Sequence, residues 1–300
     1  MSLENPLKRE ETESAEEAYS GTSDRFAQLA KYSTKVTILL IAVIAAFPLY
    51  YLFIASTYAQ GELATFPPRM LPSSHGITNY MFVLTETIFP RTFLNSIIYA
   101  GGTTIGMILL SAPAGYALAK IDFKGSKMTL FMLLILMAIP FELMSIPLFQ
   151  MVVDFGLINT YTGAIVTSVT IPLAVFFIKQ NAEQVIHDDL LDSARVNGAT
   201  EFQVFKNIVI PLLWPALVAI SMYIFITRMQ SYYWPLIVLR DDSVMVAQVW
   251  ISIWEGGIET PTPFHRILPA AVIITTPLLI TFLLGQKYFV KGITGGSIKG

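Results

Sequence analysis

Residues 189–211, DLLDSARVNGATEFQVFKNIVIP, form the polar stretch around which this 300-residue chain is organised, between two long apolar segments. Asp189 is typical of a helix N-terminus, where a carboxylate meets free backbone amides. Gly198 suits the left-handed position that ends a helix. Thr200 and Gln203 have the spacing of a capping box that opens a second helix. The stretch therefore predicts two short helices joined by a sharp turn.

Both predicted helices carry apolar residues. Leu190, Leu191, Ala194 and Val196 are assigned to one side of the first helix; Phe202, Phe205 and Val209 recur at i, i+3 and i+7 in the second. A long ordered loop between apolar segments usually has a partner protein. An amphipathic helix pair resting on a lipid surface is the alternative. The residues alone leave both interpretations open.

The composition is that of a membrane protein. Hydrophobic residues make up 54% of the chain and charged residues 13%, whereas a soluble domain carries about 25% charged residues. The chain has no cysteine, which excludes a disulfide scaffold and a cysteine metal site. His75, His187 and His265 are too far apart in sequence for a metal-ligand spacing, so no metal site and no catalytic site is predicted.

Six segments are long and apolar enough to cross a bilayer, which takes ~20 residues. They are 36–57, 92–119, 128–153, 155–178, 211–239 and 267–286. A lipid-facing segment must satisfy its own backbone hydrogen bonds, so each is expected to be helical. The sequence predicts an all-α polytopic membrane protein with a six-helix domain over residues 36–290 and an ordered loop at 183–210. In the second segment, Gly102 and Gly106 predict close helix packing.

The placement of Lys and Arg predicts the orientation. With the N-terminus in the cytoplasm, 14 of the 19 Lys and Arg residues fall in cytoplasmic segments. Four fall outside (Arg69, Arg91, Arg240 and Arg266), and Arg228 lies within a span. Both termini and the 183–210 loop are therefore predicted to be cytoplasmic. Residues 1–35 are predicted to be a disordered acidic tail, with an acidic binding tail as the alternative, and residues 291–300 a short C-terminal tail.

The 183–210 loop resembles the EAA loop of ABC importer permeases, whose pattern is E-A-A-x-x-D-G-A followed by a hydrophobic residue and Pro. The matching residues are Ala194, Gly198, Ala199, Phe205 and Pro211. The chain has Asp192, Ser193 and Asn197 where the pattern has Glu, Ala and Asp. Residues 233–236 (YWPL) and the tail 287–300 are similar to the maltose-type carbohydrate subfamily, although Met229-Gln230 replaces a usual Trp-Asn pair. We call residues 183–210 the coupling loop.

The resemblance implies a binding-protein-dependent permease subunit of the bacterial inner membrane, surrounded by lipid, that imports a carbohydrate or sugar-like solute. Its implied partners are a second homologous permease, a dimer of cytoplasmic ATPases and an extracytoplasmic solute-binding protein, with no nucleic acid. ATP and Mg would bind the ATPase, because the chain lacks the G-x-x-x-x-G-K-[ST] loop. The implied ATPase-coupling residues are Asp192, Ser193, Ala194, Asn197, Gly198, Ala199 and Phe205. Glycerol phosphate is an alternative solute, and an ion-coupled transporter or channel is the alternative function.

Arg228 and Glu142 are charges within predicted spans, and such charges indicate function. On straight helices, Arg228 lies roughly 25 Å from the start of its span and Glu142 roughly 21 Å from the start of its own. Both are therefore predicted to lie at comparable depth in the bilayer. They are predicted either to pair with each other or face a water-filled cavity for structural reasons, or to leave Arg228 to bind an anionic solute group such as a uronate or phosphate. Gln230, Tyr232, Tyr233 and Trp234 are candidates for further substrate contacts, with an interfacial aromatic belt as the alternative.

Overall fold

The computed structural model describes the backbone of residues 6–169, 172–255 and 263–294, and all regular structure in these ranges is helical. It divides into two compact units, Met1–Ala55 and Ser56–Gly300. The first unit is a single helix, α1 (Pro6–Ala55), whose portion Lys31–Ala55 is long and apolar enough to span a membrane.

The N-terminal segment differs from its prediction. Residues 6–35, predicted to be disordered, belong to α1, while residues 1–5 lie outside the described residues. The segment is rich in Glu and Ala, and both residues have high helix propensity. A helix that spans Lys31–Ala55 can therefore extend toward the N-terminus.

The second unit contains twelve helices in its described part. In chain order they are α2 (Gly76–Thr85), α3 (Phe89–Lys120), α4 (Ser126–Ala138), α5 (Phe141–Asp154), α6 (Tyr161–Val169), α7 (Pro172–Val185), α8 (Asp188–Val196), α9 (Glu201–Val204), α10 (Ile210–Met229), α11 (Tyr233–Val238), α12 (Ala247–Glu255) and α13 (Phe264–Thr294). A π-helical turn, Phe205–Val209, joins α9 to α10.

Six membrane spans are compatible with this architecture. Four helices are each long enough to cross a bilayer, and the pairs α4–α5 and α6–α7 give two further spans if each bent pair counts as one. The predicted all-helical polytopic fold is thus confirmed, but the third span is not straight. Its halves meet at 102°, because Ile139 adopts the extended conformation that the following Pro140 favours.

The fifth span also differs from its prediction over residues 211–239. The long helix α10 ends at Met229, and Tyr233 begins the separate short helix α11. Gln230 closes α10, since its backbone N–H still bonds to Ile226. The segment that resembles the carbohydrate subfamily therefore lies beyond the membrane helix rather than within it.

Helix α3 packs closely against α6 and α7, as its glycines predict. A Cβ atom placed on Gly102 would lie 2.7 Å from Ile165, and one on Gly106 would lie 2.8 Å from Val169. A Cβ on Gly115 would come within 2.7 Å of Ile178. Real side chains do not approach this closely, so these glycines set the separation of the helices.

One buried apolar cluster connects the coupling loop to the membrane helices. Leu191 of α8 and Val204 of α9 share it with Met107 of α3, Ile178 of α7 and Leu213 of α10. All five side chains are essentially inaccessible to solvent. Because cores of this kind are close-packed and nearly incompressible, the short helices and the membrane helices are mechanically continuous.

Candidate functional site

The turn of the coupling loop is a Schellman motif. Gly198 adopts φ +83° and donates its N–H to the Arg195 carbonyl at 2.9 Å, while Ala199 donates to the Ala194 carbonyl at 3.1 Å. This pair of bonds satisfies the last carbonyls of α8. The predicted helix end at Gly198 is confirmed, and a residue with a Cβ would be strained there.

The second short helix begins as its sequence predicts and then changes pitch. Thr200 accepts a hydrogen bond from the Gln203 backbone, and the Gln203 side chain bonds back to the Thr200 N–H, which completes a capping box. The chain then widens into the π turn, where Ile210 N–H reaches the Phe205 carbonyl. Pro211 has no N–H and its ring would clash with the carbonyl of Asn207 in a regular α-helix, which accounts for the widening.

Ion pairs fasten the loop at two places. Arg195 donates from Nε to Glu201 at 2.7 Å and from Nη1 to Asp192 at 3.1 Å; the Glu201 hydrogen bond raises the pKa of Arg195 above its ordinary value. Lys120, the last residue of α3, donates to Asp188 at 2.8 Å and holds the pKa of that carboxyl below its usual range. These contacts join α8 to α9 and α8 to α3.

The seven predicted coupling residues divide into two groups. Asp192, Ser193, Asn197 and Gly198 are exposed around the turn, and Ala194, Ala199 and Phe205 pack inward against the buried cluster. Phe205 contacts Tyr116 of α3, with ring centroids 5.8 Å apart. A groove of about 410 Å³ crosses the turn between α8 and the π turn, lined by residues of both groups. The arrangement offers a polar outer face on an apolar base.

Two exposed residues beside the turn belong to the apolar faces that the sequence predicted for the two short helices, but they are more exposed than the other residues on those faces. Val196 is 89% exposed and Phe202 is 72% exposed. Val196 lies two residues beyond Ala194, which is about 200° around a helix, and this spacing was a signal for the opposite face. The π turn changes the angular register after α9, so Phe202 does not share a face with the buried Val209.

A second site is a cavity of about 1100 Å³ among α3, α4, α5, α6, α7 and α10. Most of its wall is apolar, and representative lining residues are Leu110, Leu136, Met144 and Leu148. Helix α10 contributes Tyr223, Thr227 and Arg228, all on its last two turns. Among its described lining residues, the cavity therefore has one cation, Arg228, in a largely hydrophobic surface.

The predicted pairing of Arg228 with Glu142 is wrong for this structure. Glu142 is exposed in the first turn of α5, where a carboxylate complements the positive end of the helix. Because the chain bends by 102° before α5, Glu142 does not lie at the depth, comparable to that of Arg228, that a straight helix would have given it. Arg228 makes one long hydrogen bond, from Nη2 to the Ser168 carbonyl at 3.4 Å, and its buried Nε has no hydrogen-bond partner.

The other predicted pathway residues are not among the described residues that line the cavity. Gln230 is exposed at the end of α10. Tyr232 bonds to Ser252 at 3.1 Å and Tyr233 to Ser145 at 2.9 Å. Trp234 is buried, donates to Thr167 at 3.1 Å and packs edge-on against Phe141. These aromatics hold α11 against its neighbours.

The sequence did not single out Tyr223, which does line the cavity. Among the described residues, no group of three or more His, Asp or Glu side chains could hold a metal ion.

Comparison with known proteins gives a family match. Residues 111–295 match the model of the family described as "Binding-protein-dependent transport system inner membrane component". The chain is 34% identical over 265 residues to the arabinooligosaccharides transport system permease protein AraQ of Halalkalibacterium halodurans, covering 87% of this chain and 93% of that protein.

Two further similarities span most of the chain. It is 27% identical to the sn-glycerol-3-phosphate transport system permease protein UgpE of Brucella abortus, covering 84% of this chain and 91% of that protein. A chain of a solved bacterial ABC transporter "involved in the import of the acidic polysaccharide alginate" superposes with a TM-score of 0.75 at 22% identity, covering 87% of this chain and 97% of that chain. The last similarity is one of fold.

Proposed function

The chain belongs to the family of binding-protein-dependent transport system inner membrane components, and from that premise we propose that its coupling loop transmits ATP-driven motion to one wall of a translocation pathway. The chain is a permease subunit of a carbohydrate ABC importer, a multi-pass inner membrane protein and a non-catalytic transport subunit without a cofactor of its own. An ion-coupled transporter or a channel is not the function of such a subunit.

The observation that carries the proposal is the shared core of loop and membrane helices. Leu191 and Val204 of the loop are buried with Ile178 of α7 and Ile224 of α10. Helices α7 and α10 also line the 1100 Å³ cavity. A force on the exposed turn at Gly198 therefore moves helices that shape the cavity, because a packed core transmits displacement instead of absorbing it.

The proposed assembly follows the family pattern. A dimer of cytoplasmic ATPases docks on the exposed side of the turn, a second homologous permease completes the pathway, and an extracytoplasmic solute-binding protein delivers the solute. Both termini lie in the cytoplasm in this proposal. The supporting observation is the distribution of Lys and Arg, which includes Lys120, Arg195 and Lys206 on the loop side.

The proposed solute is an oligosaccharide. The cavity of about 1100 Å³ is slightly larger than the usual ligand site of roughly 300–1,000 Å³, and a relative at 34% identity is an arabinooligosaccharide permease. Glycerol phosphate is the second candidate, because Arg228 lines the cavity and a relative at 27% identity is a glycerol-3-phosphate permease.

A coupling experiment tests the proposal in the complete complex reconstituted in proteoliposomes. Asn197→Arg places a long charged side chain on the exposed turn, so uptake per ATP hydrolysed should fall at least severalfold while the complex still assembles. Asp122→Arg, an equally exposed charge change in the α3–α4 connection, is the matched control and should leave the ratio unchanged. Normal uptake per ATP in Asn197→Arg would refute the coupling role.

A further inference from the structure

We propose that Arg228 binds the carboxylate of an acidic, uronate-bearing oligosaccharide as the solute passes through the cavity. The proposal rests on the proposed function, since it takes the 1100 Å³ cavity as part of the translocation pathway. To that function the proposal adds the charge of the solute and the residue that recognises that charge.

Arg228 has unused hydrogen-bonding capacity. Its Nε is buried without a partner, and the single bond from Nη2 to Ser168 is long at 3.4 Å. The ion pairs found in the described part of the chain join other residues, so no described carboxylate lies within 4 Å of Arg228. A guanidinium has five N–H donors. Because Nε is shut off from solvent, the donors that a ligand could reach are those on Nη1 and Nη2, of which only one makes a hydrogen bond within the described residues.

A charge without an ion-pair partner in apolar surroundings is unfavourable unless something compensates it. Arg228 lies in the last turn of the 20-residue apolar helix α10, where the helix dipole favours a cation, but none of the ion pairs among the described residues includes it. A Gln or Leu at this position would avoid the desolvation of the charge. Pairing with Glu142 does not explain the charge, because Glu142 is exposed at the start of α5 and forms no ion pair with Arg228. The other structural explanation, an Arg that faces a water-filled cavity without binding solute, predicts equal loss of neutral and uronate uptake in Arg228→Gln.

The surroundings of Arg228 suit a sugar. Tyr223 and Thr227 are four residues apart on α10, so they lie on one face of the helix, and both line the cavity with Arg228. Tyr223 is 46% exposed and presents an aromatic surface of the kind that packs against the apolar face of a sugar ring. Thr227 is exposed on the same wall, and its hydroxyl, which donates to the Ile224 carbonyl at 2.9 Å, can still accept a hydrogen bond.

A carboxylate on a sugar chain fits this site better than a small phosphate. Carboxylates accept two parallel hydrogen bonds from a guanidinium. Phosphate shares that chemistry, but glycerol phosphate would use little of a 1100 Å³ cavity with a predominantly apolar wall. An oligosaccharide can occupy the cavity and contact Tyr223 while its carboxylate reaches Arg228.

The test compares three solutes in the reconstituted complex. Uptake is measured for a neutral oligosaccharide, for the corresponding chain carrying one uronate, and for glycerol phosphate. Loss of a hydrogen bond to a charged group predicts a roughly 10- to 100-fold drop in uronate uptake for Arg228→Gln, with neutral uptake changed less than about threefold. Arg228→Lys keeps the charge but not the fork of donors, so it should retain intermediate uronate uptake.

Three outcomes would overturn the proposal. One is equal loss of neutral and uronate uptake in Arg228→Gln, which would make Arg228 structural. Another is a loss confined to glycerol phosphate, which would assign the site to a phosphate solute. The third is a wild-type complex that transports no uronate chain.

A separate measurement distinguishes failure of this proposal from failure of the proposed pathway. The chain has no cysteine, so Thr227→Cys introduces a single thiol in the cavity wall. Modification with a bulky, reducible thiol reagent should block uptake of neutral and acidic solutes alike, and reduction should restore it; reagent-treated wild type controls for thiols of the other subunits. If uptake continues after modification, the cavity is not the pathway. If modification blocks uptake while Arg228→Gln lowers uronate uptake no more than neutral uptake, only the role of Arg228 fails.

Discussion

Arg195 in the first helix of the coupling loop donates from Nε to Glu201 in the second at 2.7 Å, across the turn at Gly198. The two side chains are 36% and 59% exposed. An ion pair this exposed contributes little to stability, typically ~1 kcal/mol or less. Its position indicates that it fixes the angle between α8 and α9.

Arg195→Gln should therefore affect coupling more than stability. We expect the apparent melting temperature of the complex to change by no more than a few degrees, while uptake per ATP hydrolysed falls because the two helices no longer move together. Both quantities are measured on the reconstituted complex. The charge-swapped double variant Arg195→Glu with Glu201→Arg should recover much of the ratio, and unchanged coupling in the single variant would contradict this role.

Gly115→Ala should destabilise the packing of α3 on α7. The added Cβ would lie 2.7 Å from Ile178 Cγ2 and 3.0 Å from the Lys179 backbone nitrogen, and a backbone atom cannot move aside as a flexible side chain can. Overpacking of this kind costs about 1–3 kcal/mol. The apparent melting temperature in detergent measures the effect.

Gly101→Ala is the matched control for Gly115→Ala. It lies on the same helix, but a Cβ there would meet no heavy atom within 4 Å. Replacing a helical Gly by Ala in open space is favourable by roughly 0.5–1 kcal/mol, so this variant should be as stable as wild type or slightly more stable. Equal destabilisation by both substitutions would contradict the close approach of α3 and α7.

The Lys120–Asp188 pair predicts a pH dependence. Lys120 lowers the pKa of Asp188, so the folded state favours the ionised carboxylate. The resulting stabilisation is present above the ordinary Asp pKa of about 3.9 and is lost as the pH falls through the lower folded value. Asp188→Asn should thus lower the apparent melting temperature at neutral pH.

The difference between wild type and Asp188→Asn should shrink as the pH falls below about 4, since wild-type Asp188 is then protonated as well. Asp189→Asn, next in sequence, leaves the Lys120 pair intact and is the control. A difference that does not depend on pH would show that the carboxylate charge of Asp188 does not stabilise the loop.

We expect Val196 and Phe202 to form part of the contact with the docked ATPase. They are 89% and 72% exposed beside the turn, and exposed apolar side chains at such a position are suited to burial by a partner. Val196→Asp or Phe202→Asp should reduce the ATPase that co-purifies with the permease. Phe66→Asp, at a 94% exposed phenylalanine in the α1–α2 connection, should not. Undiminished co-purification of all three variants would exclude these residues from the interface.

The sequence predicted the local features of the coupling loop well. Gly198 and the Thr200–Gln203 capping box are determined by hydrogen bonds within a few residues, so their spacing is sufficient to identify them. The close packing at Gly102 and Gly106 was also predictable, because small residues four apart have few other uses in an apolar helix.

The errors arose where a break changes the direction of the chain. Because Pro140 follows a continuous apolar run, the sequence predicted one straight span that places Glu142 within the membrane. The 102° bend before α5 changes that position. Likewise the π turn before Pro211 places Phe202 away from the buried Val209 of its predicted apolar stripe. Trp234, predicted to contact substrate, lies buried in a short helix after Met229, which the sequence did not predict. Pro140 and Pro211 mark the first two breaks in the sequence, but hydrophobic periodicity does not encode the change of direction that follows each of them.

The most direct test of the account is the ATPase activity of the reconstituted complex, measured with and without an oligosaccharide-loaded binding protein. We predict that the ATPase co-purifies with the chain and that the loaded binding protein raises hydrolysis in step with uptake. In Asn197→Arg, on the exposed turn, ATP hydrolysis should no longer rise together with uptake. Failure of the ATPase to associate, or hydrolysis that is the same with and without the loaded binding protein, would contradict the claim that the coupling loop links ATP hydrolysis to the cavity.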